Sequence, residues 1–124
     1  MTHDFTDFAL LTKASAEVKS VNAGDVIFSE GEPATDMYVV KSGAVDIRRG
    51  NRTLETVEAG GIFGEMALVD GARRSADAIA LDDAEVVPVR EKEFLFLVSQ
   101  SPYFALSVMA VMARRLRAMN KLDT

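Results

Sequence analysis

The middle of the chain alternates short apolar runs with glycines, a pattern that predicts β-strands joined by tight turns. In one run, Val45 and Ile47 alternate with polar residues at the two-residue period of a half-buried strand. Pro88 has no N–H to donate, which predicts an edge strand or a bulge there. The predicted strands are Val18–Val21, Val26–Ser29, Met37–Lys41, Ala44–Arg49, Thr53–Val57, Ser75–Ala80 and Ala84–Val89. Many short strands at this spacing favour a sandwich, a roll or a barrel.

Both ends of the chain show helical periodicity instead. Apolar positions from Phe5 to Leu11 predict a short amphipathic N-terminal helix, and residues 91–99 predict a second helix. Ser101 and Pro102 then form an N-cap followed by proline at the first helical position. The last predicted helix runs from Pro102 to about Lys121 and is roughly 30 Å long.

That last helix carries an apolar seam with spacings typical of a and d positions. The preferred interpretation is packing onto the domain's own strands, because fewer than three to four heptads are present. A homodimer through the C-terminal helix is the alternative. The seam consists of Ala105, Met109, Met112, Leu116 and Met119.

Composition narrows the class of protein. The 124 residues fit one domain spanning residues 1–124, with strands over about 16–90 and C-terminal helices over about 91–122. The absence of cysteine and the single histidine, His3, argue against disulfides, metal sites and most serine hydrolases. No apolar run approaches the roughly 20 residues of a membrane span, and the polar start is unlike a signal peptide. We therefore expect a cytoplasmic binding protein rather than an enzyme.

Charge argues against nucleic acid as a partner. The formal net charge is −5, with fourteen basic and nineteen acidic residues, whereas nucleic-acid binding usually needs a basic face. Residues 111–124 hold four of the basic groups and one acidic group. We interpret this basic helix end as a solvated cap rather than a DNA or membrane contact.

The segment from Gly60 to Ala80 holds the candidate chemistry. A glycine-rich bend that enters a helical turn presents backbone N–H groups as an anion nest. Arg74 on the following strand supplies a bidentate donor for a phosphate, while Glu65 accepts hydrogen bonds and suits a sugar hydroxyl. A phosphate at one end and a hydroxyl at the other describe a nucleotide.

This segment resembles the phosphate-binding cassette of the cyclic nucleotide-binding domain family, which includes the catabolite activator protein, protein kinase A regulatory subunits and cyclic nucleotide-gated channels. The resemblance covers nearly the whole chain. The segments that carry it are Gly24–Phe28 with Gly31, Met37–Val45, Phe63–Leu68, Arg74–Ala76 and Met112–Leu116. It implies a mainly β fold: an antiparallel β-roll (a jelly-roll, or double-stranded β-helix) with an N-terminal helix, a short cassette helix and two C-terminal helices.

The resemblance also implies the site. Arg74 and Ser75 would contact the phosphate, which the backbone of Gly64, Glu65 and Met66 would line. Glu65 would accept the ribose 2′-hydroxyl. Further residues would pack on, cap or read the base: Ile47, Leu54, Arg115, Leu116, Met119 and Asn120.

Three positions of this sequence bear on which base the family resemblance implies. Met119 and Asn120 replace a Thr-Ser pair that often bonds adenine in catabolite-activator-like proteins. Ser75, where a threonine often accompanies cGMP preference, favours cAMP over cGMP.

The resemblance implies a cyclic nucleotide sensor, with no metal, in which the last helix covers the base and its movement carries the signal. The chain leaves no room for a helix-turn-helix output domain. We therefore expect a stand-alone domain signalling to a protein partner in trans, or a module of a larger protein. A degenerate roll acting only as a protein-interaction module is the alternative, and an enzyme on a cupin-like roll is disfavoured by the lack of ligating residues.

Overall fold

The computed structural model describes residues 17–123, without the side chains of residues 69, 70, 119 and 121–123. The predicted N-terminal helix from Phe5 to Leu11 and His3 lie outside the described residues. The strands are β1 (Lys19–Val21), β2 (Val26–Phe28), β3 (Met37–Ser42), β4 (Ala44–Arg49), β5 (Arg52–Glu58), β6 (Ile62–Phe63), β7 (Asp77–Ala80) and β8 (Ala84–Val89). The helices are α1 (Met66–Asp70), α2 (Glu91–Gln100) and α3 (Pro102–Asp123).

The strands form two four-stranded sheets, ordered β1-β8-β3-β6 and β2-β7-β4-β5, with antiparallel pairing throughout. The predicted mainly β roll with C-terminal helices is thereby confirmed. The sequence pattern did not predict β6, because a two-residue strand between glycines is too short to show alternation.

Strands β3 and β8 are buried on both faces, which explains why their sequences are nearly continuous in apolar residues. One face of each strand contributes to a core between the two sheets, where Val40 and Val86 pack with Val45 and Phe63. The opposite face packs against α3, with Val39 and the neighbouring side chains of β8 in one cluster with helix residues.

Helix α3 packs on the roll through a face that overlaps the predicted seam only in part. Its buried apolar side chains are Phe104, Val108 and Val111, whereas Met109 and Leu116 of the predicted seam are exposed. The seam prediction was therefore wrong for those two residues, although packing of the helix onto the roll is observed. The aromatic and β-branched side chains fill the fully buried positions, and Met112 of the predicted seam packs, partly buried, against the same cluster.

Pro88 lies in β8, an inner strand of its sheet, so the predicted edge strand is wrong. The register between β1 and β8 ends at Val86, and Pro88 pairs only with Tyr38 of β3. The missing N–H therefore interrupts no bond to β1. The irregularity in the β3–β8 ladder falls between Val40 and Ser42 rather than at the proline.

Asp46 is more buried than the alternating pattern of β4 indicates. It is 4% exposed and accepts a hydrogen bond from Thr56 Oγ1 at 2.7 Å and another from Arg48 Nη2 at 3.2 Å. The paired hydroxyl and guanidinium supply the partners that a buried carboxylate requires.

Among the helices of the described part, none has the length and hydrophobicity that crossing a bilayer requires.

Candidate functional site

The segment that follows β6 turns sharply at Gly64 into the single-turn helix α1, which ends at Gly71 in the left-handed conformation. Gly64 has φ of +73°, a backbone conformation that favours glycine. A Cβ atom there would lie 2.8 Å from Nη1 of Arg74. The bend thus lets Arg74, in the segment before β7, approach the backbone closely.

Arg74 is buried beneath this bend, with only 8% of its surface exposed. Its Nη2 donates to the carbonyl oxygen of Asp36 at 2.8 Å, and its Nη1 donates to that of Gly64 at 3.3 Å. The guanidinium carbon lies 4.0 Å from the centre of the Phe28 ring and 5.9 Å from that of Tyr38. The Nε atom is buried without a hydrogen-bond partner among the described residues.

Burial has an electrostatic consequence for this arginine. Loss of hydration lowers the pKa of Arg74 from its ordinary value, against smaller opposing effects of Tyr38, Asp36 and Glu32. No carboxylate forms an ion pair with it among the described residues. A buried cation with an unused donor, in a chain of net negative charge, is suited to bind an anion.

The neighbouring Arg73 behaves differently. It is exposed, and its Nη1 donates to the carbonyl oxygen of Gly31 at 2.8 Å. The exposure of Arg73 agrees with the sequence interpretation that it lies in the turn, and the role of Arg74 stays a prediction.

A small cleft, partly open to solvent, lies between β2, α1 and the segment before β7. The sequence-predicted Met66 and Ser75, both exposed, line this cleft. Nε and Nη2 of Arg49 reach the Ser75 carbonyl oxygen, each at 3.3 Å, and hold the backbone beside Arg74. The lining residues are Phe28, Ala34, Gly64, Glu65, Met66, Ala67, Ala72, Arg73, Arg74, Ser75 and Ala76.

Glu65, which was predicted to bind the ribose, is buried, with 4% of its surface exposed. It forms an ion pair with Nη1 of Arg115 on α3. Its side chain makes no capping bond at the start of α1. The carbonyl oxygen of Ile62 accepts a further hydrogen bond from Arg115. The pair joins the last helix to the edge of the cleft and supplies the cation that a buried carboxylate needs.

Sequence reasoning missed Glu55 on β5. Its two carboxylate oxygens accept from Nε and Nη2 of Arg115, each at 3.1 Å. The register places Glu55 directly opposite Ile47, an apolar neighbour of the inter-sheet core, so Glu55 faces the inner side of the sheet. The available signal was a charged residue at an inward position of a strand, one residue after the predicted base contact Leu54.

The remaining predicted base contacts are not gathered around the cleft. Ile47 and Leu54 are half-buried on neighbouring strands, with a bulge in the ladder beside them. Leu116 and Asn120 are exposed on α3, beyond Arg115. Met119 belongs to the same helix, but its side chain is outside the described part. Within residues 17–123, no three His, Asp or Glu side chains cluster in a way that would hold a metal ion.

The fold is a β-roll, and the cleft beside α1 places a buried arginine next to a backbone turn. The family model for the cyclic nucleotide-binding domain matches residues 18–101, which contain both sheets, α1 and α2. The chain therefore belongs to the cyclic nucleotide-binding domain family, as the resemblance of the 63–76 segment predicted.

Relatives show where this domain occurs. The cyclic AMP receptor protein of Thermus thermophilus is 37% identical over 99 residues, which are 76% of this chain and 46% of the receptor. The crystal structure of Thermus thermophilus catabolite activator protein matches 99% of this chain and 59% of its own, with a TM-score of 0.77 and 33% identity. The chain spans about half the length of these relatives.

An EAL enzyme, Bd1971, supplies two further similar structures. Its cAMP-bound form is 32% identical over 86% of this chain and 30% of its own, with a TM-score of 0.64. Its cGMP-bound form is 31% identical over 85% of this chain and 29% of its own, also with a TM-score of 0.64. Similar domains are therefore known with either nucleotide.

Proposed function

We propose that this chain is a non-catalytic cAMP sensor, in which Arg74 binds the cyclic phosphate. The observation that carries the proposal is the Arg74 guanidinium, which lines the cleft, stacks on Phe28 and retains a buried Nε without a partner. An anion at this point would supply the missing acceptor and offset the loss of hydration. The backbone of Gly64, Glu65 and Met66, where a helix begins, adds N–H donors.

The ribose would lie beside Glu65, at the same edge of the cleft. A carboxylate only accepts hydrogen bonds, and its two oxygens can take a hydroxyl in addition to Arg115. A buried acceptor of this kind discriminates strongly between a ligand that carries the hydroxyl and one that lacks it.

The base would pack on Ile47 and Leu54, with α3 over it. Leu116, Met119 and Asn120 follow Arg115, so the segment beyond Arg115 would fold toward the base when the ligand binds. Such a shift of the end of α3 beyond Arg115 biases a two-state helix position, which is the proposed signal to a protein partner or output domain. Ser75 beside the proposed phosphate site is the basis for proposing cAMP rather than cGMP. A cytoplasmic location of the protein stays a prediction.

Calorimetry and thermal shift with cAMP, cGMP and AMP test the proposal. At 100 times its dissociation constant, a ligand adds about 2.7 kcal/mol of stability. We expect such stabilisation by cAMP, a weaker effect of cGMP and none by AMP. Arg74→Ala should abolish the stabilisation, and the matched control Arg73→Ala should keep it.

Three outcomes would contradict this assignment. Absence of stabilisation of the wild type by either cyclic nucleotide would favour the protein-interaction module. Equal stabilisation of Arg74→Ala would remove the arginine from the site. Chromatographic recovery of hydrolysed cAMP after incubation would contradict the non-catalytic role.

A further inference from the structure

Arg115 is held by two carboxylates from different parts of the roll. Nε and Nη2 form a two-pronged contact with Glu55 on β5, while Nη1 pairs with Glu65 at the cleft. Nη2 of Arg114 lies 3.4 Å from the same Glu55 carboxylate. One guanidinium thus connects α3 both to the sheet and to Glu65, the residue proposed to bind the ribose.

The contact with Glu55, together with the Ile62 carbonyl oxygen that also accepts from Nη2, sets how the guanidinium is oriented. The group is planar, and two parallel N–H···O contacts along one edge fix both its position and its plane. With Nε and Nη2 on Glu55, the remaining nitrogen, Nη1, is directed at Glu65. Glu55 is half-buried, with 24% of its side chain exposed, so solvent screens this contact only in part.

We propose that Glu55 is a positioning residue for the nucleotide site, holding Arg115 and α3 against the roll before a ligand binds. The inference rests on the proposed function, because it takes Glu65 as the acceptor of the ribose hydroxyl. The free lone pairs of Glu65 allow the hydroxyl to bind without displacing Arg115. The docked position of α3 is therefore the one to which the nucleotide binds.

This arrangement makes apparent affinity depend on docking. When only a fraction of molecules is in the binding-competent state, the apparent dissociation constant rises in inverse proportion to that fraction. Loss of the Glu55 charge weakens the contact with Nε and Nη2 and leaves Glu65 and the Ile62 carbonyl oxygen to hold Arg115, so it lowers the docked fraction in the ligand-free chain. Ligand binding then has to restore docking.

The test compares Glu55→Gln with Glu58→Gln, which removes the same charge at an exposed position of the same strand. Hydrogen exchange of α3 amides reports docking, and calorimetry with cAMP reports affinity. For Glu55→Gln we expect faster exchange without ligand, an apparent dissociation constant raised about threefold to tenfold, and wild-type exchange at saturating cAMP. Glu58→Gln should match the wild type in all three measurements.

A second variant separates positioning from damage to β5. Arg115→Lys keeps the charge but cannot form the two-pronged contact, so it should also accelerate α3 exchange. Adding Glu55→Gln to Arg115→Lys should change little further, because the two residues act through one contact. The ratio of dissociation constants between Glu55→Gln and wild type should fall when salt is raised from about 0.05 M to about 0.5 M.

Unchanged α3 exchange in Glu55→Gln, or tighter cAMP binding by that variant, would overturn the inference. Additive effects of Glu55→Gln and Arg115→Lys would also overturn it. If the wild type binds no cyclic nucleotide while Glu55→Gln still accelerates α3 exchange, the proposed function fails and the role of Glu55 in docking the helix is supported.

Discussion

The guanidinium carbon of Arg74 lies 4.0 Å from the centre of the Phe28 ring, so an aromatic face on β2 supports the cation that lines the cleft. The ring also contacts Tyr38 and Phe63, with centroid distances of 6.2 Å and 5.9 Å. Phe28 therefore joins Arg74 to the core between the sheets.

Replacing Phe28 by leucine should weaken cAMP binding by about threefold to thirtyfold, because a cation–π contact of about 0.5–2 kcal/mol is lost. Phe104→Leu is the matched control. Phe104 on α3 is equally buried, but it packs against the outer face of strands β3 and β8, away from Arg74. Urea unfolding and calorimetry should show destabilisation of both variants and weaker binding only for Phe28→Leu. Equal losses of affinity would mean that general destabilisation, not support of Arg74, explains the effect.

Gly64→Ala should abolish nucleotide-induced stabilisation. The added Cβ would lie 2.8 Å from Nη1 of Arg74 and the backbone φ is +73°, so the guanidinium must move. Gly60→Ala provides the control, because Gly60 has φ of +88° but open space around the new Cβ. Both variants should lose about 1–2 kcal/mol of stability from backbone strain, whereas only Gly64→Ala should lose the thermal shift with cAMP. Retained binding by Gly64→Ala would contradict the close approach of Arg74 to the backbone.

Arg74→Gln should separate stability from binding. Because burial lowers the pKa of Arg74, the charged form is less favourable in the folded than in the unfolded chain. This penalty is present at every pH below the folded-state pKa and declines as the pH rises through it, and arginine side chains in proteins stay charged between pH 6 and pH 9. We therefore expect the neutral variant to be as stable as the wild type or more so without ligand, with the same difference from pH 6 to pH 9, and to show no shift with cAMP. Denaturant titrations across that range provide the measurement, and a difference that changes between pH 6 and pH 9 would point to another titrating group.

The candidate site could be predicted from sequence where its residues are close together in the chain. It could not be predicted where the fold brings distant residues into contact. The bend at Gly64, the carboxylate after it and the contrast between a turn arginine and its neighbour all lie in one short segment with its own turn chemistry. The partners of Arg74 come from Asp36 and Phe28, about 40 residues away in sequence, and no pattern connects them. Such contacts depend on the register of the sheets.

The last helix shows a second limit of pattern reasoning. Two faces of α3 are apolar, one with Phe104 and Val108 and the other with Met109 and Leu116, and periodicity alone ranks them equally. The structure buries the face with aromatic and β-branched side chains. Glu55 was missed for a related reason. A single charged residue on a strand indicates no function by itself, and its contact with Arg115 is known only once the fold places α3 beside β5.

A ligand analogue tests the role of Glu65. For wild type we expect 2′-deoxy-cAMP to bind at least tenfold more weakly than cAMP, because a buried acceptor then loses its hydroxyl partner. In Glu65→Gln the difference between the two ligands should shrink, since the amide is a weaker acceptor. Calorimetry with both ligands on both proteins gives the four values. An undiminished preference for cAMP in Glu65→Gln would place the hydroxyl elsewhere.

The register of α3 can be tested by truncating neighbouring side chains. Val108 is 3% exposed in the cluster between α3 and the sheet, whereas Met109 is 58% exposed. We expect Val108→Ala to lower the free energy of unfolding by about 1–3 kcal/mol and Met109→Ala to change it by less than about 0.5 kcal/mol. Both should be measured by urea unfolding at several protein concentrations. If Met109→Ala proves the more damaging, and increasingly so at higher concentration, the exposed face of α3 is buried between two copies of the chain, and its apolar residues serve association rather than packing on the roll.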